Sequence, residues 1–364
     1  MNVGMIGGGS WADRHLKSWR KANYPVLAIY NRTRARSERL ATEFNIPDVH
    51  DDWQSIVARA DIDVISISMP HNMHHAITIA AIESGKHVYC EKPLAMSYQE
   101  AYEMWSRAKL AGVKSGMQYN PRTDPAMIKL QQMIEDGHIG TVNHVDLHMA
   151  SDFCADPNLP MMWRFEQAVA GTGALGDMGT YMIDLARWFV GEFECVSGMM
   201  TTRITERPIV RQNFDMFENL AYAHDNRMVD RPPESTAMGA VDNEDETIFL
   251  ARFASGATGT IKASRIHNDA KLQIHGSLGI LRRDAGGKIV SKLRGETNFT
   301  EVDIPERDPD ETIASHFVRN LEGDTDEGPT FYDGMQNMAV IDAVVRSDAD
   351  QRWVDIEEIT SGTE

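Results

Sequence analysis

The chain has 364 residues and a formal net charge of −18, from 54 acidic against 36 basic side chains. At 42% hydrophobic residues it can bury the cores of two domains, which sets aside a disordered chain. The acidic balance sets aside nucleic-acid binding, which needs a basic face.

The N-terminus, MNVGMIGGGS, lacks the basic segment and apolar stretch of a secretion signal. No apolar run reaches the roughly 18–20 residues of a membrane span. The expectation is a soluble protein of the cytoplasm, with no membrane partner. Apolar runs at 3–6, 26–29, 64–67, 88–90 and 113–117 predict buried strands. They alternate with helical patterns at 11–20, 35–44, 72–84 and 97–111. Strand and helix in strict turn predict a doubly wound parallel sheet, a Rossmann-type α/β domain over residues 1–120.

After Asn120-Pro121-Arg122 the pattern changes, and residues 121–364 are read as a second α/β domain. Strand patterns at 142–149, 247–253, 258–263 and 271–275 follow with few helices between them. They predict a large, open, mostly antiparallel sheet with one face covered. Residues 203–245 are polar and proline-bearing and read as a long loop or arm. A last helix near 334–347 is expected to pack back on the first domain.

Cys90, Cys154 and Cys195 are odd in number, far apart and without a C-x-x-C pair. Neither a disulfide framework nor a thiolate metal site is expected. His71, His74 and His75 cluster at a helix start without a carboxylate spaced to complete a metal site.

The turn Gly7-x-Gly9-x-x-Ala12 joins the first strand to the first helix. The first glycine permits the tight turn, the second admits a pyrophosphate, and the third small residue lets helix and strand pack closely. Ser10 and Trp11 begin the helix, whose free N–H groups attract an anion. After the second strand the chain reads Asn31-Arg32-Thr33-Arg34-Ala35-Arg36, with no acid to meet a ribose 2′-hydroxyl. Asn31, Arg32, Thr33 and Arg36 suit a 2′-phosphate instead, which favours NADP over NAD.

In GALGDMGTYMIDLARWFVG, Asp177, Tyr181 and Asp184 fall at i, i+4 and i+7. On a regular helix their directions agree within about 60°. This places the two carboxylates at the edge of the buried face, with Asp184 read as structural.

The glycine-rich turn, SISMPHNMHHAITIAAIESG, KHVYCEKPLA and GALGDMGTYMIDLARWFVG together resemble the Gfo/Idh/MocA family of dinucleotide-dependent oxidoreductases. The resemblance implies hydride transfer to or from secondary alcohols of sugars, inositols and related polyols. It also implies pairing of open sheet faces into a homodimer or homotetramer. Lys92, in Glu91-Lys92-Pro93, matches the family's catalytic lysine, and Asp177 matches the aspartate of its D-x-G-x-H motif. Tyr181 stands where that motif has histidine, as in some branches of the family. Pro70 and His74 match a P-x-x-x-H element on the nicotinamide side, together with Glu91. Asn120 and Arg122 match an N-x-R at the domain junction, and Trp163-Arg164 a W-R pair before the catalytic helix. The resemblance thus implies Asn120, Trp163 and Arg164 at the cofactor, and Lys92, Arg122, Asp177 and Tyr181 at the substrate.

Oxidising an alcohol needs a base at the hydroxyl while hydride leaves the carbon. Tyr181 is expected as proton acceptor, with the Lys92 ammonium favouring its phenolate and Asp177 holding a neighbouring hydroxyl. The alternative gives Lys92 the proton and leaves Tyr181 to position the substrate. Two other function classes stay open. One is a cofactor-retaining enzyme that cleaves glycosides by oxidation and elimination; the other is a non-catalytic sensor of dinucleotide or ligand.

Overall fold

The computed structural model describes residues 1–209, 237–308, 310–323 and 327–362. Its N-terminal part is a parallel sheet of six strands in the order β3-β2-β1-β4-β5-β6. These are β1 (Val3–Ile6), β2 (Val26–Tyr30), β3 (Asp48–Val49), β4 (Val64–Ile67), β5 (His87–Cys90) and β6 (Ser115–Met117). β1 and β4 are buried along their whole length, as expected of central strands covered on both faces. Helices α1 (Ser10–Lys21), α2 (Arg34–Phe44), α3 (Trp53–Val57), α4 (His74–Glu83) and α5 (Tyr98–Ala111) intervene. The ends of α5 are written in the sequence. Ser97 Oγ accepts from Glu100 N at 3.3 Å, and Gly112 takes the left-handed conformation with φ +66°. The predicted strands and helices are all present here. The sequence reading missed β3 and α3, which are too short to show a period.

The second sheet has nine strands in the order β16-β15-β14-β13-β7-β12-β11-β8-β17. The core of this sheet is β7 (Val142–Ala150), β8 (Phe193–Thr201), β11 (Glu246–Phe253), β12 (Thr258–Ser264) and β13 (Asp269–Gly276). Beyond them lie β14 (Gly279–Arg283), β15 (Ile289–Leu293), β16 (Thr300–Glu301) and β17 (Val354–Asp355). All its pairings are antiparallel except β7 with β12. Alternation decides its two faces: Val145 and Leu147 of β7 are buried, while His144, Asp146 and His148 point the other way. Short helix α7 (Gln167–Ala170) precedes α8 (Thr180–Val190), which packs on the buried face together with the C-terminal helix Phe331–Asp350.

Helix α6 (Pro125–Glu135) and strands β8, β14, β15, β16 and β17 were not read from the sequence. The reading of 203–245 as a loop falls mostly on residues 210–236, outside the described residues. Its ends pair as a ribbon, β9 (Glu206–Pro208) with β10 (Met238–Ala240).

The C-terminal segment returns to the first sheet. Phe317 stacks on Tyr89 with centroids 5.4 Å apart, and Tyr98 N donates to Asp342 Oδ2 at 2.8 Å. Met117 N donates to Pro329 O at 2.9 Å. These contacts hold the two sheets together around the carboxyl edge of the first.

Candidate active site

Four strand ends meet at that edge. Gly7 N donates to Tyr30 O at 2.8 Å, and Glu91 N to Ile67 O at 3.0 Å. Gly7 has φ +138°, and a Cβ there would lie 2.4 Å from Ser68 O, so only glycine fits the turn between β1 and β4. A Cβ on Gly8 would lie 2.7 Å from the Asn31 side chain. The N-cap of α1 is Gly9, and no side chain caps it. Ser10 and Trp11 form the open first turn of this helix. The bare turn and uncapped helix fit a dinucleotide pyrophosphate. Asn31 Nδ2 donates to Thr33 O at 3.2 Å, which closes the turn after β2. Arg34 is taken by Glu38 and Asp51, whereas Arg32 is exposed and has no ion-pair partner among the described residues. Arg36 is half-buried on the first turn of α2.

Beside it, Pro70 leads into a short 3₁₀ turn, His71–Met73. His74 is fully buried, with Nδ1 2.9 Å from Pro93 O and Nε2 2.9 Å from Met69 O. It pins the loop after β5 to the loop after β4, so its ring nitrogens serve the backbone. The Lys92–Pro93 peptide of that loop is cis. Glu91 is buried, with its Oε1 3.0 Å from His15 Nε2. His15 Nδ1 in turn lies 2.9 Å from Ser66 Oγ, which accepts from Trp19 Nε1 at 3.0 Å. The sequence reading missed this buried chain; its only linear signal is a histidine on the inner face of α1.

The helix that carries Asp177 and Tyr181 arrives from the other side. It opens with one wide π-helical turn, Leu175–Gly179, before α8 begins. Glu244 anchors this turn: its carboxylate accepts from Gly173 N at 2.7 Å and Leu175 N at 2.8 Å. A Cβ on Gly173 would lie 2.0 Å from Glu244 O, which explains a glycine at the helix entrance. Burial pushes the Glu244 carboxyl up, and the two backbone N–H groups oppose that shift. Glu244 was missed because it lies about 70 residues downstream of the helix it caps.

Asp177 sits in the wide turn, and Lys92 Nζ lies 2.9 Å from its Oδ1 and also donates to its carbonyl oxygen. Side-chain exposure is 5% for Lys92 and 19% for Asp177. Arg164 Nε stands 3.7 Å from Asp177 Oδ2, with its guanidinium 4.4 Å from the Trp163 ring. Burial alone would raise the Asp177 carboxyl, but Lys92 and Arg164 outweigh it and hold it well below the usual range.

Tyr181 belongs to the same cluster in a different way than expected. Lys92 Nζ lies 4.7 Å from the centre of its ring, over the face, and makes its hydrogen bonds to Asp177. The Tyr181 hydroxyl is buried without a hydrogen-bond partner among the described residues. Burial, then Glu91, Asp177 and Tyr119, push this phenol well above its ordinary value. The expected phenolate stabilised by Lys92 is therefore not what the geometry provides. A second correction concerns the helix edge. Asp184 is fully buried, because α8 is covered on nearly every side and Arg122 of the 120–123 turn closes over the carboxylate.

Arg122, expected at the substrate, is not brought to this cluster. Its Nε and Nη2 donate to Asp184 at 2.9 and 2.6 Å, and Nη2 reaches Asp333 at 3.0 Å. The guanidinium ties the segment after β6 to α8 and to the C-terminal helix. Asn120, two residues before Arg122, accepts from Gln118 Nε2. Among the described residues no group of three or more His, Cys, Asp or Glu side chains could hold a metal ion. No described helix is long and apolar enough to cross a membrane.

Comparison with known proteins agrees with this architecture. The model of an oxidoreductase family with an NAD-binding Rossmann fold matches residues 1–119, and the GFO/IDH/MocA C-terminal domain matches residues 127–282. Levoglucosan dehydrogenase of Pseudarthrobacter phenanthrenivorans is 32% identical, covering 99% of both chains. The 1,5-anhydro-D-fructose reductase of Ensifer adhaerens is 26% identical over 91% of both. A solved levoglucosan dehydrogenase in complex with NADH and L-sorbose superposes with a TM-score of 0.86 at 31% identity, covering 99% of this chain and 100% of the other. The chain belongs to the Gfo/Idh/MocA family of oxidoreductases, whose N-terminal domain is an NAD-binding Rossmann fold.

Proposed function

We propose that this protein is a nicotinamide-dependent sugar dehydrogenase or reductase in which Lys92 exchanges the proton of the reacting hydroxyl. The observation that carries the reading is the Lys92–Asp177 pair, 2.9 Å apart at the carboxyl edge of the Rossmann sheet. When bound there, the nicotinamide supplies or takes up the hydride. Lys92 donates a proton to the carbonyl oxygen of a ketose, or receives one from the alcohol after releasing its own to solvent. Asp177 fixes the amine and, with Arg164, supplies charge for neighbouring sugar hydroxyls. Tyr181 forms an aromatic wall under the amine. Gly7, Gly9, Ser10, Trp11, Pro70 and Glu91 frame the dinucleotide side, with Trp163 and Arg164 across the cleft.

Relatives that act on levoglucosan and 1,5-anhydro-D-fructose make anhydrosugars the first substrates to try. The test is a panel of levoglucosan, 1,5-anhydro-D-fructose, L-sorbose and methyl D-glucosides with each nicotinamide, followed by nicotinamide absorbance. Turnover of at least one sugar is expected; no absorbance change with any of them overturns the reading. We further infer a preference for NADP from the exposed Arg32 and the absence of an acid after β2, and a division into domains at about residue 120. The three buried cysteine thiols suit a reducing compartment, and we assign the protein to the cytoplasm. The open face of the second sheet exposes Met199 and Leu250, which supports pairing with a second copy in a homodimer or homotetramer. Sedimentation at micromolar concentration tests this, and a monomer overturns it.

A further inference from the structure

His71 was not assigned a role by the sequence, and its surroundings give it one. It follows Pro70 at the carboxyl end of β4 and is 7% exposed. Its Nδ1 lies 2.8 Å from Ala170 O, the last residue of the short helix before the catalytic segment. A carbonyl oxygen only accepts, so Nδ1 carries the hydrogen in this contact. Burial, then His74 and Lys92, push the imidazole down to about 3, so the ring is neutral at working pH. A neutral ring with its hydrogen on Nδ1 has a bare lone pair on Nε2. No described residue hydrogen-bonds to that atom.

The ring is also held in place. Trp163 meets it edge-on, with centroids 4.9 Å apart and planes at 83°. Arg164, next to Trp163 in the chain, stands 3.7 Å from Asp177 Oδ2, which puts the ring beside the pair proposed to carry the chemistry. Lys92 and Arg164 present hydrogen-bond donors to a ligand there. Asp177 is already engaged by Lys92. A sugar hydroxyl brings one donor hydrogen as well as acceptor lone pairs; the second Asp177 oxygen can take one such hydrogen, and His71 Nε2 offers a further acceptor.

We propose that His71 Nε2 accepts a hydrogen bond from a hydroxyl of the bound sugar, and so acts as a specificity-determining residue. The proposal rests on the sugar reading above. The Ala170 carbonyl sets the tautomer, and through it the backbone of one domain prepares an acceptor on the other. The nicotinamide carboxamide carries a donor of the same kind, and the test separates the two sources.

Two variants divide the ring's functions. His71→Asn keeps an N–H near the position of Nδ1, and with it the bond to Ala170, but has nothing at Nε2. His71→Gln places an amide oxygen near Nε2 and gives up the bond to Ala170. The assay uses the panel sugar with the highest kcat/KM, with binding of NADH followed by its fluorescence. For His71→Asn the expected result is a sugar KM raised about three- to tenfold, the loss of one hydrogen bond, with kcat and NADH affinity little changed. His71→Gln should recover part of that loss despite the missing tether. A wild-type sugar KM in His71→Asn overturns the proposal, and so does a change confined to NADH affinity. Should His71→Asn not fold, a raised KM in His71→Gln equal to that of His71→Ala overturns it. These failures leave the sugar reading standing, since that reading falls only if the wild-type protein turns over no sugar.

Discussion

Two ion pairs on one helix make different use of the same ingredients. Asp177 meets Lys92 and Asp184 meets Arg122, and each cation comes from the N-terminal half of the chain or its junction. The Asp177 carboxylate is 19% exposed, and its lysine partner can give up or receive a proton. The Asp184 carboxylate is wholly buried, and its guanidinium partner stays charged at any working pH. Two parallel N–H bonds in a dry site hold geometry; a point charge at the rim of a cleft can take part in chemistry. A third acid completes the series. Asp342 accepts the Tyr98 backbone N–H and has no ion-pair partner among the described residues, so burial pushes its carboxyl up to about 6.

Replacing Lys92 should have the largest effect on rate. Lys92→Met is expected to lower kcat by about 10²–10⁴, the usual worth of a positioned acid or base, with NADH binding retained. Tyr181→Phe removes a hydroxyl without a partner and should leave the pH–rate profile with the same limbs. A profile that loses its limb in Tyr181→Phe would restore the phenol as proton acceptor.

Breaking the other pair should act on stability. Arg122→Met leaves Asp184 buried without its partner and should cost about 3–5 kcal/mol in urea unfolding. Near-wild-type stability with a selectively raised sugar KM would instead return Arg122 to the substrate site.

Asp342 sharpens the contrast through pH. A carboxyl whose folded pKa is raised contributes stability below its unfolded value near 3.8, and that contribution is lost as pH rises through about 6. Asp342→Asn keeps an acceptor for Tyr98 N. It should remove this slope and be more stable than wild type at pH 7, by up to about 3 kcal/mol. Parallel stability curves for the two proteins between pH 4 and pH 7 would contradict the assignment.

The smallest expected effect is at Arg32, an exposed cation without an acid beside it. Arg32→Ala should weaken NADP binding about tenfold, the low end for a charge-assisted hydrogen bond, and leave NAD unchanged. Equal loss for both cofactors would remove the basis for an NADP preference.

Local chemistry made the first sheet legible in the sequence. Its strands and helices each carry their own period, and the glycine turn sits between two of them, so Gly7 and Gly9 could be placed without knowing any contact. The resemblance marked Lys92 and Asp177 residue by residue, and the structure joins them. What remained hidden depends on partners far apart in the chain. Glu244 caps a helix that begins near residue 175, and His15 reaches Glu91 across the sheet. The linear pattern could not say that α8 would be covered on nearly every side, sealing Asp184 against Arg122, or that Lys92 would choose the Asp177 carboxylate over the Tyr181 hydroxyl. Sequence alone determined the elements and the chemical types available, because backbone periodicity and side-chain identity are local. Only the tertiary structure decided which carboxylate is open to a substrate and which is sealed, because burial and pairing are made by segments that meet after folding.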